Sequence, residues 1–210
     1  MKTDFLRILL VFASGVATLA CSKKDDSPVP VPPTPPQTEW SNTTLTVIPD
    51  EASGINGSVF VPINVTREGI IGNGSKVSVE IDLEHTYALD VAVQLIAPSG
   101  ETVGLIKRIV NSSGAGRDNF KAGNKLVFKS TFTTLIPITG ITTTDIPGGN
   151  YKPTFGTILN PTDVSESPMD AYFLNKNIKG VWKLQFYDCE SGDVGSVVAW
   201  KITFEDGSLQ

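Results

Sequence analysis

The chain has little of the chemistry on which many enzymes and nucleic-acid-binding proteins depend. Its 210 residues include one histidine, two cysteines and 8% aromatic residues, and its formal net charge is −5. The acidic balance excludes the basic footprint of a nucleic-acid-binding protein, and too few aromatic residues are present for a stacking platform. A zinc site takes three or four nitrogen or sulfur ligands, more than this chain can spare. The remaining metal candidates are carboxylates.

Helical periodicity is also absent beyond the first twenty residues, and the chain is instead rich in turn residues, with 19 glycines and 14 prolines. Residues 77–84 alternate strictly, with apolar side chains on one side and polar side chains on the other. This period of two indicates a strand with one buried face. Residues 91–95 repeat the pattern, and Pro98-Ser99-Gly100 supplies a turn. Such runs predict an antiparallel β-sandwich over residues 40–210.

Residues 1–20 have the features of an export signal. Lys2 and Arg7 precede an apolar run from Ile8 to Ala20. That run suits a signal sequence, and it falls short of the roughly 20 apolar residues that span a membrane. Small residues then lead to Cys21, as in bacterial lipoprotein signals, which predicts that Cys21 is lipidated. An ordinary signal peptide with an incidental cysteine is the alternative.

Residues 21–39 predict a tether between that anchor and the folded domain. The segment is rich in proline, which favours an extended helix rising about 3.1 Å per residue. Its charged start resembles that of surface-displayed bacterial lipoproteins, so we expect an outer-membrane lipoprotein on the cell surface or the periplasmic face. Lipidation of Cys21 leaves Cys189 without a partner, and a Cys21–Cys189 disulfide is the alternative.

Two ordered motifs carry a family resemblance. The first runs from a strand through His-Thr-Tyr and an aspartate to an apolar strand and a Pro-Ser-Gly turn; the second is a Gly-x-Trp strand, an acidic glycine-containing loop and a closing Trp-x-Ile strand. Together they resemble the P domain (P/Homo B domain) of proprotein convertases and bacterial subtilisin-like proteases. The motif residues are His85-Thr86-Tyr87, Asp90, Pro98-Ser99-Gly100, Gly180-Val181-Trp182, Asp188, Gly192-Asp193 and Trp200-Lys201-Ile202.

The resemblance implies a jelly roll like that of galactose-binding domains. It also implies a regulatory role, because the family's catalytic triad lies in a separate domain that we do not find here. We therefore expect a non-enzymatic, membrane-anchored module that binds a protein or a glycan. The alternative is an accessory subunit serving a serine-type endopeptidase in trans. His85 is read as a structural residue. The family's Arg-Gly-Asp corner is replaced by Ala88-Leu89-Asp90, which puts any role of that arginine in doubt.

Asp90, Asp188 and Asp193 are the candidate metal ligands. Asp188 and Asp193 flank a short loop, and a sandwich can bring its corners to one end. Calcium takes six to eight oxygen ligands, often from such loops, so a calcium site is one hypothesis. Turn capping by aspartate side chains is the alternative. Trp182 and Trp200 lie on alternating apolar faces, and both are predicted to be core residues.

Overall fold

The computed structural model describes five parts of the chain, which together carry both family motifs. They are residues 36–109, 118–138, 144–154, 158–160 and 168–210. The predicted signal, Cys21 and most of the predicted tether lie outside them. Residues from Pro36 onward belong to one compact unit. In the described residues, no helix is both long and apolar enough to cross a membrane.

In the described residues, strands make up nearly all of the regular structure. The helical elements there are one short α-helix, α1, at Met169–Phe173, and two 3-10 turns at Gly74–Lys76 and Ala88–Asp90. In chain order the strands are β1 Glu39–Asn42, β2 Thr46–Ile48, β3 Gly57–Val65, β4 Val77–His85, β5 Val91–Ile96, β6 Thr102–Ile106, β7 Leu126–Phe128, β8 Gly149–Tyr151, β9 Gly180–Asp188 and β10 Gly195–Phe204.

The strands form two sheets. One has the order β1-β10-β4-β7-β8, with β2 also paired to β10, and the other has the order β3-β9-β5-β6. Every pairing between these strands is antiparallel except that of β7 with β8. The orders β2-β10-β4-β7 and β3-β9-β5-β6 are those of a jelly roll, in which the chain crosses repeatedly from one sheet to the other. The predicted all-β sandwich is confirmed.

The core lies between the sheets and follows from the alternation in the sequence. Val77, Val79, Ile81 and Leu83 all turn their side chains inward from β4 and are buried. The two predicted core tryptophans also lie there. The indole N–H of Trp182 donates to the Ile178 carbonyl at 2.7 Å, and that of Trp200 donates to the Val61 carbonyl at 3.0 Å. Both rings are therefore buried without an unsatisfied donor.

Several strand boundaries differ from those expected. A turn separates the first two strands, because the Asn42 side chain accepts a hydrogen bond from the Thr44 N–H at 2.8 Å. As a result β1 ends at Asn42 and β2 begins at Thr46, while β1 itself starts at Glu39, inside the predicted tether. In residues 133–167, where no strand was expected, β8 pairs in parallel with β7.

Candidate functional site at the His85 corner

The two motifs meet at one end of the sandwich. Strand pairing places His85 opposite Gly195, and Val91 opposite Asp188. The loops that follow these strands are then joined by backbone hydrogen bonds. The Cys189 N–H donates to the Asp90 carbonyl at 3.0 Å. Residues far apart in sequence therefore form one corner, as a sandwich was expected to allow.

His85 lies at the centre of this corner, and its side chain is buried. Its Nε2 lies 3.1 Å from Asp188 Oδ2, and its Nδ1 lies 2.9 Å from the Tyr87 carbonyl oxygen. A β-carbon on Gly195 would stand 2.3 Å from His85 Cδ2, so only glycine lets the ring approach β10 this closely. The histidine motif and the Gly195 position therefore depend on each other.

Asp193 accepts a side-chain hydrogen bond at the outer side of the corner. The Thr86 hydroxyl donates to Asp193 Oδ1 at 2.7 Å and accepts from the Val194 N–H at 3.0 Å. The Asp50 carboxylate accepts from the Gly192 N–H, with the nearer oxygen at 3.1 Å. These bonds join the acidic loop to Thr86, just after β4, and to Asp50, just after β2.

Burial disfavours the ionised form of two carboxyl groups at the corner. Asp90 is 4% exposed, and burial raises its pKa from 3.8 to about 7, with further contributions from neighbouring acids. Those acids are Asp188, Asp193 and Glu190, and the Arg108 guanidinium opposes them. Burial likewise raises the pKa of Asp188, although His85 counteracts this shift. Within the described part of the chain, the second Asp188 oxygen is buried without a hydrogen-bond partner.

The three predicted metal ligands are brought to the same end of the sandwich but into different surroundings. Asp188 faces His85, and Asp193 accepts a hydrogen bond from Thr86. Asp90 is buried, close enough to both aspartates and to Arg108 for their charges to act on it. Among the residues that the structure describes, no group of three or more histidine, cysteine, aspartate or glutamate side chains is arranged to hold a metal ion. A calcium site here stays a prediction.

Neither the histidine nor the cysteine of this corner is placed to take part in nucleophilic catalysis. Both ring nitrogens of His85, the only histidine in the sequence, are engaged in the interior. Cys189 is a free but buried thiol, and burial raises its pKa to about 11. Since the thiolate is the reactive form, this cysteine is unreactive near neutral pH. The geometry favours a structural role for the buried corner.

A surface groove beside the corner was not predicted from the sequence. It has a volume of about 770 Å³ and runs along the outer face of the larger sheet, past Glu84, Thr86 and Ser196. Its walls come from β2, from the residue before β10 and from the segment at Asn119–Ala122. Only the pairing of distant strands creates it, so no local sequence pattern could have indicated it.

The first motif and the strands around it agree with a known family. Residues 74–130 match the family model of the proprotein convertase P-domain. The match confirms the predicted resemblance. The P-domain match includes His85 and Asp90 and ends before Asp188 and Asp193, which complete the corner from the other motif.

Two curated proteins extend the similarity over most of the length of this chain. It is 28% identical over 167 residues to the transglutaminase-activating metalloprotease of Streptomyces mobaraensis, covering 79% of this chain and 15% of that protein. It is 26% identical to leupeptin-inactivating enzyme 1 of Streptomyces exfoliatus, covering 82% of this chain and 27% of that enzyme. The chain therefore spans about a quarter or less of either curated relative.

A solved structure is also similar to this chain. The serine protease of Aeromonas sobria is 12% identical, with coverage of 82% of this chain and 28% of that chain. The TM-score is 0.39, which is too low to support any conclusion about fold or function.

Proposed function

We propose that this chain is a non-catalytic accessory module that binds a protease and stabilises or regulates it. The observation that carries the proposal is the P-domain match at residues 74–130, in a chain that aligns with 15% of a protein named as a metalloprotease. An accessory module would be expected to match only a small segment of a much larger protease. The activity of the whole relative need not reside in that segment.

The corner geometry supports a module without its own hydrolytic chemistry. A serine, cysteine or threonine nucleophile needs an adjacent base within hydrogen-bond reach. The sole histidine is buried, and its ring nitrogens contact Asp188 and the Tyr87 backbone. A substrate outside the domain cannot reach that ring without opening the corner.

Membrane attachment is the second part of the proposal. Lipidation of Cys21 would hold the module at the outer membrane, and residues 22–39 would serve as the spacer. A lipid anchor raises the local concentration of a module near other membrane-bound or exported proteins. An exported protease is therefore the partner we propose. No feature of the described residues favours a glycan as partner over a protein.

The test uses the full chain and an exported subtilisin-like protease from the same cells. Tagged chain should capture the protease, and the protease should lose activity more slowly at elevated temperature when the chain is present. Purified chain alone should not cleave fluorogenic peptides. Peptidase activity that persists through purification and disappears in His85→Ala would contradict the proposal, as would protease stability that is indifferent to the chain.

A further inference from the structure

The groove beside the corner combines an apolar wall with an acidic floor. Across the larger sheet, Val47 of β2 lies opposite Ser196 of β10, which lies opposite Glu84 of β4. Residues paired in this way project from the same face of a sheet. The face therefore changes from apolar to acidic across three neighbouring strands.

The apolar wall is unusually open to solvent. Val47 is 70% exposed and Val194, just before β10, is 65% exposed. Leu45, two residues before Val47, is also exposed. Neighbouring exposed aliphatic side chains of this kind mark binding surfaces more often than an isolated one does.

The floor carries a negative charge that the described residues do not neutralise. Glu84 accepts a hydrogen bond from the Ser196 hydroxyl at 2.6 Å, and no described lysine or arginine pairs with it. On the opposite wall, Lys121 and Asp145 form an ion pair at 2.9 Å and cancel each other's charge. His85 also lines the groove, but its side chain is fully buried. Among the described residues that line the groove, Glu84 is thus a carboxylate with no described ion-pair partner.

We propose that this groove binds an extended polypeptide segment in which lysine or arginine alternates with aliphatic residues. A cationic side chain would reach Glu84, and its aliphatic neighbours would cover Val47 and Val194. The groove volume of about 770 Å³ lies in the range of sites for small ligands, about 300–1,000 Å³, so it takes a few side chains rather than a whole interface.

Binding at this groove rests on the proposed accessory function, because the groove would be the surface that contacts the partner segment. An extended segment suits the site because Val47, Ser196 and Glu84 are spread across three neighbouring strands. Charge complementarity sets orientation and rate of association more than affinity. The aliphatic contacts would supply most of the affinity.

Fluorescence anisotropy with a synthetic peptide tests the groove directly. The probe is fluorescein-labelled Gly-Ser-Val-Lys-Val-Arg-Val-Ser-Gly, and its control carries glutamate in place of lysine and arginine. The full chain should bind the first peptide and not the second. Glu84→Gln should weaken binding about two- to fivefold, as expected for one exposed ion pair. Binding should also weaken with added salt.

Charge insertion at exposed positions separates the groove from general attraction to an acidic protein. Val47→Lys should weaken binding of the cationic peptide by at least about fivefold, because it adds a like charge and removes the apolar contact. Val181→Lys is the matched control. It adds the same charge at an exposed valine on β9, in the other sheet, and should leave binding unchanged.

The outcomes distinguish this inference from the proposed function. Equal effects of Val47→Lys and Val181→Lys, or no binding of the cationic peptide, would overturn the groove proposal. If the Val47→Lys variant still captures the exported protease as well as wild type does, the accessory function stands and the groove is not its surface. If wild type binds the peptide as predicted but captures no protease, the accessory function fails and the groove survives. Binding of an oligosaccharide that Val47→Lys abolishes, without peptide binding, would replace the peptide by a glycan.

Discussion

Replacing Asp90 by asparagine should stabilise the domain above neutral pH. Asparagine has nearly the shape of aspartate but carries no charge, so it removes the repulsion from Asp188 and the neighbouring acids without opening a cavity. The folded domain would no longer have to bury a charge that it tolerates poorly. The gain should vanish in acid, where Asp90 is already protonated.

The magnitude follows from the difference between the folded and unfolded pKa values of Asp90. Burial and nearby acids raise the pKa from 3.8 to about 7. The folded state therefore binds the proton more tightly, and the stability associated with that proton is present below pH about 4 and is lost as the pH rises to about 7. Each pKa unit corresponds to about 1.36 kcal/mol, so the full loss is on the order of 4 kcal/mol. Local relaxation around the ionised group would reduce this figure.

Urea unfolding of wild type and Asp90→Asn from pH 4.5 to 8.5, with a chelator present, measures the effect. Taking the difference between the two proteins at each pH removes the titration of the groups that do not interact with Asp90. The stability of Asp90→Asn relative to wild type should rise by about 1 kcal/mol per pH unit between about pH 5 and 7 and level off above. Asp206→Asn, which changes an exposed carboxylate, is the control and should give a flat difference. A flat difference for Asp90→Asn as well would refute the assignment of a buried, proton-binding carboxyl.

Other predictions concern the core, the anchor and calcium. Trp182 is 0% and Trp200 is 1% exposed, so changing either to alanine should cost about 3–5 kcal/mol of unfolding free energy; a cost below about 1 kcal/mol in urea titration would contradict their place in the core. Cys21→Ala should release the protein from membranes or block signal removal, as followed by fractionation and mass; membrane partition of a processed variant would exclude lipidation. If calcium binds the folded domain, it should raise the unfolding free energy by about 2.7 kcal/mol at about 100 times Kd. Asp193→Asn should reduce that increase, and identical melting in calcium and in chelator would exclude the site.

Local sequence patterns predicted the sandwich because the residue pattern within each core strand indicates which side chains are buried. Val77, Val79, Ile81 and Leu83 alternate with polar residues, and a period of two specifies which face is inside before any partner is known. The same logic reached Trp182 through its alternation in β9. A pattern confined to one strand could predict burial but not which strand lies beside it.

The parts that the sequence did not predict depend on contacts between distant segments. The bond from His85 to Asp188 joins residues 103 positions apart, and nothing local to either residue indicates it. The parallel pairing of β7 with β8 likewise escaped prediction, because each strand has only three residues and β8 includes glycine and asparagine, which are uncommon in strands. The groove is a product of the same long-range pairing.

The position of β9 and β10 within the sheets constrains when this domain can fold. Each is the latest strand of its sheet in chain order, yet each occupies an interior place, β9 between β3 and β5, and β10 between β4 and the pair β1 and β2. A growing chain that has not yet produced Gly180 leaves the earlier strands without central partners in both sheets. Long-range pairing of this kind delays folding until the partner segments are present. The two sheets of this domain therefore cannot close until β9 and β10 have been made, although most of their strands come earlier in the chain.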